Sequence, residues 1–348
     1  MEKRIKVGVI GAGKIGSLHA RVLSKLPQAE LVGVCDKNLW RAQMIAWRTN
    51  CVAFNYYGDL LKQVEAVVVA APTALHSEIG VKALEAGVHC LIEKPIAASL
   101  EEAKKLLEEA KARKLVLQVG HVERFNPAVL EAIHHIHNPR FITAGRLGSY
   151  DPRTAQIGVV LDLMIHDLDI LLTLVPSEIE RLEAVGARLL SGHEDIANVR
   201  IRFKSGCIAD LTASRISFER FRKIRIFQPD NYISLDYLNA SLKIYRKSAE
   251  QVRSHKDIAV VYPKLVKAEP LGLELAHFLS CVEHKLEPWV GGESGIRALE
   301  LALKITDELD RHELSREPAV PSFTPPWANL GEFTRSISSA VLGGASKK

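Results

Sequence analysis

Glu93-Lys94-Pro95 directly follows a short apolar run, His89-Cys90-Leu91-Ile92, that reads as a buried parallel strand. A lysine at the carboxyl end of such a strand can stand beside a nicotinamide ring and a substrate hydroxyl. Its charge favours the alkoxide that develops as a hydride leaves. A second chemical group comes later in the chain. Asp162, His166 and Asp169 recur at i, i+4 and i+7 in a strongly apolar stretch from Val159 to Leu174, so on a helix they share one face. Burying such groups without partners costs on the order of several kcal/mol per ionised group. The stripe must therefore line a cavity or form a satisfied structural network. Taken with Lys94 it makes an acid–base set for oxidising a carbinol. His166, with an ordinary pKa of about 6.5, would take the hydroxyl proton. Asp162 would orient it and hold substrate hydroxyls, and Lys94 would lower the hydroxyl's pKa.

The partner of this set is a dinucleotide site at the start of the chain. Ile5 to Ile10 reads as a strand running into Gly11-Ala12-Gly13-Lys14-Ile15-Gly16, and Asp36 ends the next strand. Gly11 suits a tight turn, Gly13 a close approach of backbone to pyrophosphate, and Gly16 close packing of helix on strand. The helix N-terminus that follows, from Lys14 and Ile15, offers unsatisfied N–H groups to the phosphates. Asp36 would accept hydrogen bonds from the adenosine ribose and repel a 2′-phosphate, which favours NAD over NADP. Lys37 beside it offers a cation to that phosphate and argues the other way.

The elements that must position these groups follow from periodicity. Apolar runs at Ile5–Ile10, Leu31–Cys35, Cys51–Phe54, Ala66–Ala71, Val88–Ile92 and Leu115–Val119 alternate with helical stretches that include Ile15–Leu26, Ala74–Ala86 and Leu100–Ala112. This rhythm predicts a doubly wound parallel sheet, an α/β Rossmann domain over residues 1–122. From there the pattern changes. Helical stretches at Pro127–Ile136 and Val159–Leu174 precede seven strand-like runs, Ile179–Leu190, Ile196–Phe203, Cys207–Ala213, Arg222–Phe227, Tyr232–Leu235, Leu242–Tyr245 and Ile258–Val261. Two helices, Leu271–His284 and Glu293–Leu314, close the folded part. Strand after strand implies a largely antiparallel sheet, so residues 123–316 form an α+β domain for substrate and self-association. Residues 317–348 read as an irregular tail rich in Pro, Ser and Gly. The few helices cannot cover both faces of that sheet, and an open apolar face predicts a homodimer or homotetramer.

Strand–GAGKIG–helix, His19 in that helix, Pro72-Thr73-Ala74-Leu75-His76, Glu93-Lys94-Pro95, Gly120-His121-Val122-Glu123-Arg124-Phe125-Asn126-Pro127 and Asp162 to His166 occur together in one order. In this the chain resembles the glucose–fructose oxidoreductase/inositol dehydrogenase/MocA family over about residues 4–312. The resemblance implies an NAD(P)-binding first domain and a second domain with an open-faced sheet used for oligomerisation, with the substrate between them. It also implies that Lys94 contacts the reacting hydroxyl and the nicotinamide ribose, that Asp162 and His166 are the acidic and imidazole pair, and that Pro72, Thr73, His76 and Glu93 belong to the cofactor site. In some relatives the lysine rather than the histidine is regarded as the base. The string Gly120–Pro127 and Ile233-Ser234-Leu235-Asp236-Tyr237 look most like the branch that oxidises C3 of UDP-N-acetylglucosamine for later amination by a separate aminotransferase. Free sugars, sugar phosphates and inositol remain alternatives, as does an NAD-binding sensor without turnover.

Composition fits these readings. The 348 residues are 47% hydrophobic and 25% charged with a net charge of +5, which suits a soluble enzyme and lacks the basic stripe of a nucleic-acid binder. The sequence shows no signal-peptide core and no run approaching a membrane span of about 20 residues. Five scattered cysteines read as reduced thiols, and the expected compartment is cytoplasmic. Arg124 can reach substrate or serve as a hinge ion pair, with Asn126 capping the helix that starts at Pro127. Tyr150 and Arg153, which follow a predicted strand, are candidate contacts for a uridine diphosphate. Arg215, Arg220, Arg222, Lys223 and Arg225 read as a solvated sheet edge, with a diphosphate contact as the other possibility. His134, His135 and His137 have no acidic or cysteine partner nearby in this reading, and no metal site is expected.

Overall fold

The computed structural model describes residues 4–248 and 253–314, and its first layer is built from the alternation seen in the sequence. In chain order this layer holds β1 (Ile5–Ile10), α1 (Lys14–Leu23), β2 (Ala29–Cys35), α2 (Leu39–Thr49), β3 (Val52–Phe54), α3 (Tyr57–Leu61), β4 (Ala66–Val69), α4 (His76–Glu85), β5 (His89–Glu93), α5 (Leu100–Arg113) and β6 (Leu117–Gly120). All six strands are parallel, in the order β3-β2-β1-β4-β5-β6. The central strands are mainly apolar because both faces are covered, although Lys6 of β1 is exposed. Val7, Val9, Val68 and Leu91 enter one core, and Ile10, Val69 and Ile92 the other. The strand order reverses between β1 and β4, so the loops after these strands part and leave a crevice at the carboxyl edge. Helix α2 is absent from the three helices named from periodicity. Trp40 and Trp47 on it are 66% and 81% exposed, which blurs its amphipathic pattern.

The second layer follows a 3-10 turn, Val122–Phe125. It comprises α6 (Pro127–Ile133), β7 (Phe141–Leu147), α7 (Ile165–Leu174), β8 (Ile179–Ala187), β9 (Ile196–Phe203), β10 (Ile208–Ser214), β11 (Phe221–Phe227), β12 (Asn231–Asp236), β13 (Ser241–Lys247) and β14 (Ile258–Val261). Helices α8 (Pro270–His284) and α9 (Gly292–Leu314) end the described chain. The eight strands lie in the order β14-β13-β12-β11-β7-β10-β9-β8. Every neighbouring pair is antiparallel except β7 with β10. β7 is not among the seven strand-like runs, yet it lies near the middle of the sheet. Its inward residues are Ile142, Ala144 and Arg146, and a small residue and a cation in sequence give no apolar signal.

One face of the second sheet packs on α6, α7 and α9 through residues such as Val129, Leu168, Leu171, Leu301 and Ile305. The other face carries an aromatic ladder across four strands. Phe141, Phe227, Tyr232 and Tyr245 follow one another at ring separations of 5.7, 4.7 and 4.9 Å, each pair directly opposite in register. Helix α8 returns to the first sheet, where Leu275, Phe278 and Leu279 share a core with Val7 and Val9. All five cysteines are free thiols, and burial pushes Cys35 up to about 12 and Cys207 up to about 11. Among the described residues no helix is long and apolar enough to cross a membrane. The sequence-predicted tail from Glu317 lies outside the described residues.

Candidate active site

The glycine loop has the shape a pyrophosphate requires. Gly11 has φ +107°, and a Cβ there would lie 2.4 Å from the Ala70 carbonyl oxygen; one on Gly16 would lie 1.8 Å from that of Gly11. Both positions are therefore closed to any side chain by the protein itself. Gly13 differs, because a Cβ there would meet nothing within 4 Å. Its bareness serves the open space above the loop, where Lys14 and Ile15 are also exposed at the start of α1. Asp36, at the end of β2, accepts hydrogen bonds from Ala12 N at 2.7 Å and Asn38 N at 2.8 Å. This fixes the carboxylate beside the loop with lone pairs to spare for ribose hydroxyls. The residues present fit a dinucleotide.

The next two strand ends are tied together by imidazoles. Pro72 and Thr73 open a 3-10 turn after β4. His76, buried just beyond it, has one ring nitrogen 2.8 Å from the Pro95 carbonyl and the other 2.8 Å from that of Ala71. Burial lowers its pKa, against the pull of those two carbonyls. His19, on α1, meets the Glu93 carboxylate at 2.7 Å. Burial would raise the Glu93 pKa, but the His19 hydrogen bond and charge, with Lys94, hold it below the usual range. The peptide between Lys94 and Pro95 is cis. Lys94 lies between two clamped neighbours, Glu93 held by His19 and Pro95 held by His76.

Across the crevice, the stretch read as one α-helix begins differently. Val160–Met164 is a π turn, in which Ile165 N–H reaches Val160 O, five residues back, before α7 continues. Such insertions cluster at functional sites because they re-aim side chains. The turn's start is anchored by Glu194, whose carbonyl accepts from Val159 N at 3.0 Å and whose carboxylate accepts from Val160 N at 3.1 Å. The π turn brings Asp162 to Lys94. The ammonium donates to the Asp162 carbonyl at 2.5 Å and to its carboxylate at 3.2 Å. The side chains of Lys94 and Asp162 stay 18% and 23% exposed, so both remain reachable from the crevice.

His166 lies one turn on, and its Nδ1 is enclosed without a hydrogen-bond partner, which leaves Nε2 for the open side. Burial, then the cations Lys94 and Arg146, hold its pKa well below 6.5. It is a neutral imidazole at neutral pH. Asp169, third of the sequence stripe, instead faces Arg124, 3.5 Å away. Arg124 also donates to the Trp289 carbonyl at 3.1 Å, and Asn126 caps α6 by accepting from Ala128 N. Tyr150 lies just past β7, half-buried, and makes no hydrogen bond to Lys94, Asp162 or His166 among the described residues. Arg153 lies in a 3-10 turn, and its side chain is outside the described part.

Three groups at the site were missed in sequence. Arg146 on β7 is buried, with a two-pronged bond to Asp167 at 2.8 and 3.0 Å and a third to Glu123 at 2.9 Å; its guanidinium lies over the Tyr237 ring. His121, after β6, is buried edge-on to His166 with ring centroids 6.2 Å apart. Glu274 on α8 is fully buried, with no partner for either carboxyl oxygen among the described residues; burial and then Glu93 push its pKa well up. Only His121 had a signal, its place in the string Gly120–Pro127. The basic run is corrected as well, because strand alternation splits it. Arg215 is buried against Asp195 at 2.7 Å, Arg222 lies opposite Arg146 on the inner face, and Lys223 points outward to Asp236. The histidines after α6 do have acidic neighbours, His135 with Glu131 and His137 with Asp230. No metal-binding group of three is found among the described residues.

Comparison with known proteins agrees with this geometry. Residues 5–121 match the model of the GFO_IDH_MocA oxidoreductase family with its NAD-binding Rossmann fold, and residues 127–229 match the C-terminal domain of the same family. The chain belongs to that family. It is an oxidoreductase with an NAD-binding Rossmann fold. It is 37% identical over 306 residues to UDP-N-acetylglucosamine 3-dehydrogenase of Acidithiobacillus ferrooxidans, spanning 86% of this chain and 96% of that one. The solved structure of that enzyme superposes with a TM-score of 0.85, at 36% identity, covering 90% of this chain and 99% of that one. A scyllo-inositol 2-dehydrogenase (NAD(+)) of Bacillus subtilis is 32% identical over 62% of this chain and 69% of its own length. Levoglucosan dehydrogenase, solved with NADH and levoglucosan, shares the fold at 20% identity and a TM-score of 0.80, over 89% of this chain and 98% of that one.

Proposed function

We propose that this protein oxidises the C3 hydroxyl of a UDP-N-acetylhexosamine, UDP-N-acetylglucosamine foremost, to the 3-oxo sugar. The observation that carries the chemistry is the meeting of Lys94, Asp162 and His166 at one crevice beside the glycine loop. The observation that supports the substrate is the likeness to the Acidithiobacillus enzyme along nearly its whole length. Bound on the loop, NAD supplies the hydride acceptor. Lys94 holds the hydroxyl oxygen and favours its anionic form. Nε2 of His166, kept neutral by its surroundings, accepts the proton. Asp162 fixes the Lys94 ammonium through carbonyl and carboxylate together, and its free edge can take a neighbouring hydroxyl. Following NADH absorbance against a panel of UDP-sugars, free sugars and inositols tests this reading. UDP-N-acetylglucosamine is expected to give the highest kcat/KM. Preference for a free polyol would replace the substrate, and no turnover on any member would favour a sensor.

The same reading includes assembly and place. The aromatic ladder on the uncovered face of the second sheet supports pairing of two copies face to face. Light scattering at micromolar concentration should give a dimer or tetramer, and a monomer would refute it. The free, buried thiols suit a cytoplasmic enzyme, and a 3-oxo sugar product suits a following aminotransferase.

A further inference from the structure

Oxidation of an alcohol releases a proton for every hydride, and the reading above leaves that proton on His166. With nicotinamide and sugar filling the mouth of the crevice, Nε2 of His166 faces the substrate. The proton must then leave through Nδ1. That nitrogen is enclosed and has no hydrogen-bond partner among the described residues. Facing its ring at 90°, with centroids 6.2 Å apart, is His121, 1% exposed and with neither ring nitrogen partnered. Three unmatched imidazole nitrogens thus occur in one pair of rings. Each unmet polar group costs about 1–3 kcal/mol, so such groups call for an explanation in function or bound water. The separation is too long for a direct bond between the rings and suits one bridging water.

The charges around the pair differ in a useful way. Around His166 stand Lys94, Arg146, His121 and Arg222, all of which oppose a second positive charge. His121 is also lowered, by burial first; around it Asp169 and Glu93 favour a positive charge and Lys94 and Arg124 oppose one. Behind His121, Asp169 Oδ2 is buried without a hydrogen bond and lies 3.5 Å from Arg124 Nε. Arg124 in turn donates to the carbonyl of Trp289, a residue 63% exposed. Asp169 thus stands as a buried carboxylate held by Arg124, which is itself tied to the Trp289 carbonyl.

We propose that His121 is a relay residue that takes the substrate's proton from His166 through one water, with the Asp169 carboxylate as the anion that favours its charged form. The step balances. The C–H bond breaks with its electron pair going to the nicotinamide, and the O–H proton binds Nε2 of His166. The proton on Nδ1 of the same ring moves to the water, which gives one of its own to His121. No further reactant is needed.

The proposal rests on His166 as the base, and the two can fail separately. His121→Phe keeps a ring but removes both nitrogens. With UDP-N-acetylglucosamine it is expected to lower kcat by about tenfold to a hundredfold, less than loss of a direct acid–base group. KM and NAD affinity should stay near wild type, and in His121→Ala, which leaves a space the size of the ring, added imidazole should recover turnover. His121→Gln, which can still hold a water, should fall between the two. Wild-type kcat in His121→Phe overturns the relay, and so does a slowed His121→Ala enzyme that ignores imidazole and keeps its solvent isotope effect. Inactive wild-type protein defeats the functional reading instead. Nitrogen NMR of the NAD complex then decides the relay without turnover. His166→Gln must shift the titration of His121, and an unmoved titration overturns the coupling.

Discussion

Two groups of imidazoles flank Lys94, and they are built on opposite plans. On the dinucleotide side, His19 holds Glu93 at 2.7 Å and His76 reaches two backbone carbonyls at 2.8 Å each; only Nδ1 of His19 lacks a partner there. On the helix side, His121 and His166 face each other with three nitrogens unmatched. The first pair cross-links loops that must not move. The second keeps donors and lone pairs for molecules that come and go. Satisfied polar groups make architecture, and unsatisfied ones in a cleft remain available for chemistry.

The sharpest way to break this contrast is to remove one group from each side. Lys94→Ala and His166→Ala are expected to lower turnover by about two to four orders of magnitude, with NAD affinity unchanged for His166→Ala. His76→Ala should instead lower stability by about 1–3 kcal/mol and leave kcat within tenfold of wild type. Steady-state kinetics beside urea unfolding separate the two kinds of loss. Normal turnover in His166→Ala would remove it as the base. Next in size is Arg146→Met, which strands the carboxylates of Asp167 and Glu123 in the core. It should cost about 3–5 kcal/mol in denaturant unfolding, and a loss under ~1 kcal/mol would mean that the network is not structural.

On the dinucleotide side, Asp36 predicts at least about tenfold tighter binding of NAD than of NADP, a gap of ~1.4 kcal/mol. Calorimetric titration giving equal affinities would shift the adenosine contact to Lys37. The smallest effects are those of pH on stability, and their signs oppose one another. His121 and His166 are lowered by burial, so below about pH 6.5 the unfolded chain binds more protons than the folded one. Stability must fall as pH drops through that range. Glu274 is raised by burial, so the folded chain binds the extra proton above about pH 4.3. Its contribution is present below that pH and is lost as pH rises. Melting temperatures of Glu274→Gln should therefore decline less with rising pH than those of wild type. An identical decline would mean that Glu274 titrates as an ordinary surface carboxylate.

How much of this was legible in the sequence depended on where each residue's partners lie. β4 and β5 were readable because residues buried on both faces write an unbroken apolar run. The glycine loop was readable because backbone clashes with Ala70 and with Gly11 itself forbid any other residue at Gly11 and Gly16. Lys94, Asp162 and His166 were named as candidates by type and spacing, and the structure brings Lys94 to Asp162, although the helical face assumed for the stripe did not hold. The π turn at Val160–Met164 sends Asp162 to Lys94 and leaves Asp169 to Arg124. Nothing in the residues Val160–Met164 announces a π turn, because Glu194, which anchors its start, comes from a distant loop. Arg146 was hidden for the same reason. A cation in a central strand makes sense only once Asp167 and Glu123 are seen beside it.

Helix α8 carries a consequence for how the chain is made. Leu275, Phe278 and Leu279 complete the core that Val7 and Val9 begin, so one wall of the first sheet is supplied from the far end of the molecule. During synthesis, strands β1 to β6 leave the ribosome long before the helix that covers them. Closing such a distant contact is entropically slow, and it leaves apolar strand surface open in the interval. A nascent chain stopped before residue 270 is expected to bind chaperones and yield to protease along the first sheet, and one released after α8 should resist. The half of the protein that is born first is finished last.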